Sequence, residues 1–184
     1  MKLRYLFCLI LVCLVGPMGC AWFHVSERKN AAISSVIDNP NTQEFDLPAG
    51  AKLLLVPFSA GPLVEATDEL DKVTLTIIKG ISEAVDESGK PLKLMEDRNQ
   101  GPDFMLKGHV VEMKESSAGI GSLWGSPRRK LLGIEANLID AKTERMICHF
   151  SDRKGQARPG ITFRALGLEL GRALGQSLAS KIKH

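Results

Sequence analysis

The sequence predicts an α+β fold in which two helices pack on a mainly antiparallel sheet, with elements in the order β-α-β-β-β-β-α. Two observations carry this prediction. Apolar residues recur every three or four positions in two separate stretches, as on one face of a helix. Between these stretches apolar and polar residues alternate, as in strands that bury one face. Strands and helices in this order are typical of a layered α+β domain.

The first nineteen residues have the order of a secretory signal peptide. Two basic residues precede an almost wholly apolar run from Tyr5 to Val15, which is too short to cross a membrane as a helix. Gly19 and Cys20 then resemble the bacterial lipoprotein processing site, in which the cysteine is acylated and becomes the new N-terminus. Cleavage after Ala21 by an ordinary signal peptidase is the alternative.

Charge and composition after the signal indicate a tether followed by one domain. The signal holds Lys2 and Arg4 and no acidic residue, so its removal lowers the formal net charge of +3 by two. The nearly neutral remainder gives no indication of nucleic-acid binding. Residues 20–50 are polar and interrupted by proline and glycine, which predicts a lipid-anchored flexible tether. Residues 51–184 are predicted to form the α+β periplasmic domain.

The domain is predicted to begin with a buried strand and an amphipathic helix. Leu53 to Val56 is a continuous apolar run that ends at Pro57. Thr67 is the predicted N-cap of the helix that follows. The apolar stripe of this helix consists of Leu70, Val73, Ile77, Ile81, Ala84 and Val85. The turn-forming residues from Ser88 to Pro91 are expected to end it.

Four strands and a last helix follow in the prediction. The predicted strands are Leu92–Met95, Phe104–Met113, Leu132–Leu138 and Met146–Phe150. The last two are predicted to form an antiparallel hairpin, because the residues between them, Asp140–Thr143, favour a turn. A helix is predicted from about Thr162. Its stripe consists of Phe163, Leu166, Leu170, Leu174, Leu178 and Ile182.

The residues that could carry out chemistry do not form a catalytic pattern. His109 and His149 are predicted on neighbouring strands, where a two-histidine metal site is conceivable, but no third ligand has suitable spacing. We therefore expect two partly exposed histidines, and we expect Cys148 to be a small buried side chain on the opposite face. The sequence predicts no enzyme, no metal site and no cofactor.

The segment Glu115–Lys130 is the predicted contact surface for a partner. It lies between two strands and combines three glycines with an aromatic residue and a basic cluster, the residue types enriched at binding hot spots. The predicted contact residues are Trp124, Arg128, Arg129 and Lys130. The alternative is a long hairpin end whose Trp124 folds back on the core. Arg153, Lys154 and Arg158 are placed in the next loop, where they either enlarge the basic surface or, as is more common, belong to a solvated loop.

Glycines in the last helix form a second candidate surface. Gly167, Gly171 and Gly175 recur every fourth residue. Glycine costs about 1 kcal/mol relative to alanine inside a helix, so three on one stripe indicate a compensating close approach. We weigh two partners for this stripe, namely the sheet of the same domain and a second copy of the chain.

Several segments resemble a group of uncharacterised bacterial lipoproteins. They are the Leu53–Phe58 strand with its helix, Lys107–Val111, the glycine loop, Leu138–Thr143 and the last helix. Residues 52–183 also resemble the periplasmic domain shared by the curli-secretion lipoprotein, the lipoprotein activators of penicillin-binding proteins and the amino-terminal domain of TolB. This resemblance implies a binding or assembly role rather than catalysis. Ala21, rather than aspartate, follows Cys20. In this respect the sequence resembles Gram-negative lipoproteins that are sorted to the outer membrane.

Three functions are compatible with the sequence. The first is a non-enzymatic, palmitate-bearing lipoprotein on the inner leaflet of the outer membrane, facing the periplasm, where it binds another envelope protein. The second is a homo-oligomeric subunit of an outer-membrane secretion or pore complex. The third is a small metal-dependent enzyme that uses His109 and His149.

Overall fold

Two helices lie against a six-stranded mixed sheet in the computed structural model, which describes residues 45–116 and 128–183. The strands are β1 (Lys52–Leu55), β2 (Ser59–Ala60), β3 (Lys93–Met95), β4 (Phe104–Ser116), β5 (Arg129–Asp140) and β6 (Met146–Gln156). The helices are α1 (Asp68–Glu87) and α2 (Phe163–Ser180), and a short 3₁₀ turn covers Arg98–Gln100. This arrangement confirms the predicted α+β class. No helix in the described part is long and apolar enough to cross a membrane.

The sheet has the strand order β3-β1-β4-β5-β6, and β2 pairs with β4 next to β1. The long pairings β4–β5 and β5–β6 are antiparallel, as expected. The short pairings of β1 with β3, β1 with β4 and β2 with β4 are parallel, so the sheet is mixed and not purely antiparallel. The β1–β3 pair is parallel because α1 carries the chain back to the end of the sheet at which β1 starts.

Both helices begin where the sequence predicted. The Thr67 hydroxyl accepts a hydrogen bond from the Leu70 amide at 3.2 Å, and the Thr162 hydroxyl accepts one from the Ala165 amide at 3.1 Å. Each cap satisfies an amide that the first turn of a helix leaves without a partner. The predicted apolar stripes of both helices are buried in the core.

The glycine stripe of α2 packs against α1 rather than against the sheet. Gly167 lies beside Val73, Gly171 beside Ile77 and Gly175 beside Ile81, so the two helices run parallel to each other. A Cβ on Gly175 would lie 2.7 Å from the Ile81 carbonyl oxygen, and one on Gly171 would overlap the Ile77 carbonyl. Only glycine allows backbones to approach this closely. This face is therefore occupied within the chain.

The packed structure extends further towards the N-terminus than the strand at Lys52. Leu47 is fully buried and forms a parallel bridge with Ile182, just after α2. The Leu47 amide donates to the Lys181 carbonyl at 2.8 Å, and the Lys183 amide donates to the Leu47 carbonyl at 3.2 Å. Residues 45–50, which the sequence predicts as part of the tether, thus lie on the domain. Phe45 and Leu47 stand close to proline and glycine, and two apolar residues are too few to give a periodic pattern from which this could be predicted.

The hairpin strands are longer than predicted. Strand β4 continues to Ser116 and β5 starts at Arg129, so Glu115, Arg129 and Lys130 lie in strands rather than in a loop. Strand β6 continues to Gln156, which places Arg153 and Lys154 in the sheet as well. These strand ends consist mainly of charged and polar residues. They therefore lack the alternation of apolar and polar residues from which a strand is predicted.

Candidate functional site

The predicted basic cluster is divided between two faces of the sheet. Arg128 and Lys130 both approach the Glu115 carboxylate, at 3.8 Å and 3.6 Å. The Lys130 ammonium also lies 4.9 Å from the centre of the Phe163 ring, on the side of the helices. Arg129 points to the opposite face, where its guanidinium lies close to Gly155. Successive residues of a strand alternate between faces, so the three cations cannot act as one patch.

Arg128 and Lys130 line a cleft together with the turn that precedes α2. We call it the cationic cleft, and its lining consists of Glu115, Arg128, Lys130, Arg158, Pro159, Gly160, Ile161 and Thr162. The cleft has a volume of about 430 Å³. It brings three cations around one carboxylate, so it can attract an anionic group of a partner. Trp124, the fourth predicted contact residue, lies outside the described residues.

A second depression lies where the edge strand β6 meets α2, and the sequence did not predict it. We call it the edge groove, and its lining consists of Ile134, Ala136, Phe150, Ser151, Asp152, Ala173, Leu174 and Ser177. Its volume is about 120 Å³ and its surface is mostly apolar. The small residues Ala173 and Ser177, one turn apart on α2, leave room beside Phe150. That spacing of small residues is the one signal in the sequence that could have indicated the groove.

His109 and His149 lie on strands of the sheet that are not adjacent. Strand β5 lies between β4, which carries His109, and β6, which carries His149, so the prediction that they sit on neighbouring strands is wrong. The Nδ1 atom of His109 lies 2.7 Å from the Ser59 hydroxyl, and that of His149 lies 2.7 Å from the Asn137 side-chain oxygen. Within residues 45–116 and 128–183, no three histidine, cysteine or acidic side chains cluster closely enough to hold a metal ion.

Cys148 lies on the helix side of β6 and is 2% exposed. Burial raises the pKa of its thiol, because a thiolate would lose its hydration there. A thiol of this kind is protonated at neutral pH and reacts slowly. Cys20, the predicted lipidation site, lies outside the described residues.

The fold is shared with proteins of known structure, although no family model and no curated protein matches the sequence. A PelC variant from Paraburkholderia phytofirmans, a dodecamer, is 14% identical with a TM-score of 0.56, covering 77% of this chain and 96% of that one. A second PelC dodecamer from this organism is 12% identical with a TM-score of 0.53, covering 75% of this chain and 92% of that one. A lipoprotein from Neisseria meningitidis is 14% identical with a TM-score of 0.45, covering 69% and 97%. The TM-scores of the two PelC structures show that this chain shares their fold, and at identities this low they show the fold alone.

Proposed function

We propose that this chain is a non-enzymatic, lipid-anchored protein of the bacterial envelope that works as an assembly factor, binding other copies of itself and a further envelope protein. The observation that carries the proposal is the edge groove, a small and mostly apolar depression between β6 and α2. Anchor side chains at protein interfaces fill small apolar pockets of this kind. The fold it shares with PelC, which was solved as a dodecamer, supports self-association as part of this role.

The mass of the intact protein in detergent tests self-association. We expect the full chain, solubilised from membranes, to sediment as an oligomer after correction for bound detergent. A monomer at all protein concentrations would contradict this part of the proposal. Self-association as a subunit of an outer-membrane secretion or pore complex is the more specific version, and it too requires an oligomer.

The anchor is proposed to be a lipid on Cys20. The signal-like residues 1–19 and the Gly19–Cys20 pair support it, and Ala21 supports the inner leaflet of the outer membrane as its location. Metabolic labelling with a palmitate analogue should mark the wild type and leave a Cys20→Ser variant unmarked. Equal labelling of both would contradict the anchor. The finer likeness to the curli-secretion lipoprotein, to the penicillin-binding-protein activators and to TolB remains a prediction.

The contact with a further envelope protein is proposed to involve the cationic cleft and Trp124, which precedes Arg128 by four residues in the sequence. Because Arg128 and Arg129 point to different faces, the two arginines form a matched pair for a test. Crosslinking in whole cells followed by mass spectrometry should capture a partner with the wild type and with Arg129→Ala. Capture should fall with Arg128→Ala, and further when Trp124→Ala and Lys130→Ala are added. An equal loss with Arg129→Ala would move the contact to the other face of the sheet.

The absence of catalysis is also a proposal. Each histidine is engaged by a hydrogen-bonding side chain, and the sheet keeps the two histidines on separate strands. Purified protein is expected to contain no stoichiometric metal ion by elemental analysis. Bound metal that is lost in His109→Ala or His149→Ala would favour the third function instead.

A further inference from the structure

The edge groove has room for one large aliphatic side chain. Its volume of about 120 Å³ is a little less than that of an apolar cavity of roughly 150 Å³ that binds benzene. The lining offers the side chains of Ile134, Phe150 and Leu174 as apolar contacts. A leucine side chain would therefore match both the size and the chemistry of the groove.

Leu63 is such a side chain, and it stands out from the surface with 86% of its area exposed. The turn that carries it is held against the sheet. The Gly61 amide donates to the Val110 carbonyl at 2.8 Å, and the Val64 amide donates to the Gly61 carbonyl at 3.1 Å. A Cβ on Gly61 would lie 2.8 Å from the Val110 oxygen, so the turn touches β4 closely. Leu63 is thus presented by an anchored turn, because Gly61, two residues before it, is hydrogen-bonded to the sheet.

Leu63 and the edge groove belong to opposite sides of the sheet, because strands β4 and β5 lie between β2 and β6. One row of paired residues crosses it from Ala60 on β2 through Val110 and Ile134 to Asp152 on β6. Leu63 follows shortly after the first residue of this row, and the groove surrounds the last two. Three strand spacings of about 4.8 Å separate the ends, so the row is roughly 14 Å wide. A molecule therefore cannot place Leu63 in its own groove.

We propose that Leu63 of one copy inserts into the edge groove of the next copy, so that the chains associate head to tail. This inference rests on the proposed self-association and names the surfaces that perform it. Two different surfaces of the same chain are used, so the contact is heterologous, and repeated contacts close into a ring or continue as a filament.

Charged residues introduced on either side of this contact test it. Leu63→Asp places a charge on the inserted side chain, and Ala173→Glu places one in the groove. We expect each variant of the full chain in detergent to sediment as a monomer, with an unfolding midpoint close to that of the wild type. Leu75→Asp is the matched control, because Leu75 is 65% exposed but lies on α1 away from the row. This variant should keep the wild-type mass.

Engineered cysteines test the head-to-tail geometry without introducing a charge. A Leu63→Cys, Ser177→Cys chain should give a ladder of crosslinked dimers, trimers and larger species on mild oxidation. Either single variant should give no ladder, whereas a mixture of the two single variants should give dimers only. Crosslinked dimers from Leu63→Cys alone would indicate a symmetric contact and overturn the proposal.

The outcomes separate this inference from the proposed function. A wild type that is monomeric contradicts both. An oligomer that survives both Leu63→Asp and Ala173→Glu leaves self-association intact and overturns the role of Leu63 and the groove. Occupation of the groove by the N-terminal region of the same chain would overturn that role as well. Loss of the oligomer with Leu75→Asp but not with Leu63→Asp would overturn it as well.

Discussion

At the scale of single residues, the turn between β5 and β6 contains a strained position. Glu144 has a φ of 56°, and among the described residues it is the one non-glycine with positive φ. The Asp140 carboxylate accepts hydrogen bonds from the amides of Lys142 and Thr143, at 2.9 Å and 2.8 Å, and these bonds lower the pKa of Asp140. The turn is therefore fixed by hydrogen bonds that oblige Glu144 to adopt a conformation glycine prefers.

We predict that Glu144→Gly stabilises the protein. The left-handed conformation costs a residue with a side chain about 1–2 kcal/mol, and glycine avoids this cost. Part of the gain is offset because glycine has more conformational freedom in the unfolded chain. The expected net gain is about 0.5–1 kcal/mol in the free energy of unfolding, measured by denaturant titration. Lys142→Gly in the same turn is the control and should lower stability. A lower free energy of unfolding for Glu144→Gly would mean that the Glu144 side chain makes a contact that stabilises the protein by more than the strain destabilises it.

Residue-level features could be predicted from the sequence where they depend on near neighbours. Thr67 and Thr162 cap the helices as expected, because a cap is decided by the next three residues. The division of Arg129 from Lys130 could not be predicted. It depends on which residue starts β5, and that is set by pairing with Ser116 across the hairpin.

At the scale of elements, the two helices pack backbone against backbone. The glycines of α2 meet the backbone of α1, and Gly80 of α1 in turn meets the backbone of α2 near Gly171. The Arg172 guanidinium donates to the Glu83 carboxylate at 2.7 Å and 3.0 Å on the surface above this contact. Backbone packing and this ion pair fix the register of one helix on the other.

We predict that Gly171→Ala destabilises the protein although alanine favours helix. The added methyl group would overlap the Ile77 carbonyl, so the helices must separate. Overpacking of this kind costs about 1–3 kcal/mol, which exceeds the gain of about 1 kcal/mol from helix propensity over most of that range. Thermal unfolding should show a lower Tm. Gln176→Ala, on the exposed side of the same helix, should leave Tm within a few degrees. An unchanged Tm for Gly171→Ala would indicate that the helices can part at little cost.

The helices and the long hairpin were predictable because each carries its own period of apolar residues. The parallel pairings were not, because β2 and β3 have only two and three residues and show no period. The partner of the glycine stripe was also not predictable. Spacing indicates a close approach, but which element approaches is decided by the order of strands and helices in space.

At the scale of the whole molecule, Leu47 joins the start of the described chain to its end. We predict that Leu47→Ala lowers the free energy of unfolding by about 2–5 kcal/mol, because a fully buried leucine leaves a cavity. Leu63→Ala, at an exposed leucine, should change it by less than about 0.5 kcal/mol. Denaturant titration of both variants gives the comparison. Equal stability of the two would mean that residues 45–50 are only loosely attached.

The parallel packing of α1 and α2 has an electrostatic consequence for the end of the molecule that holds the cationic cleft. The peptide dipoles of a helix sum to roughly half a positive charge at its N-terminus, and both N-termini lie at this end. Asp68, Glu69 and Asp71 neutralise that of α1, whereas the first turn of α2 has no acidic residue. The field of α2 therefore adds to that of Arg128, Lys130 and Arg158. An acidic partner would be drawn to this end at a rate that falls as salt is added.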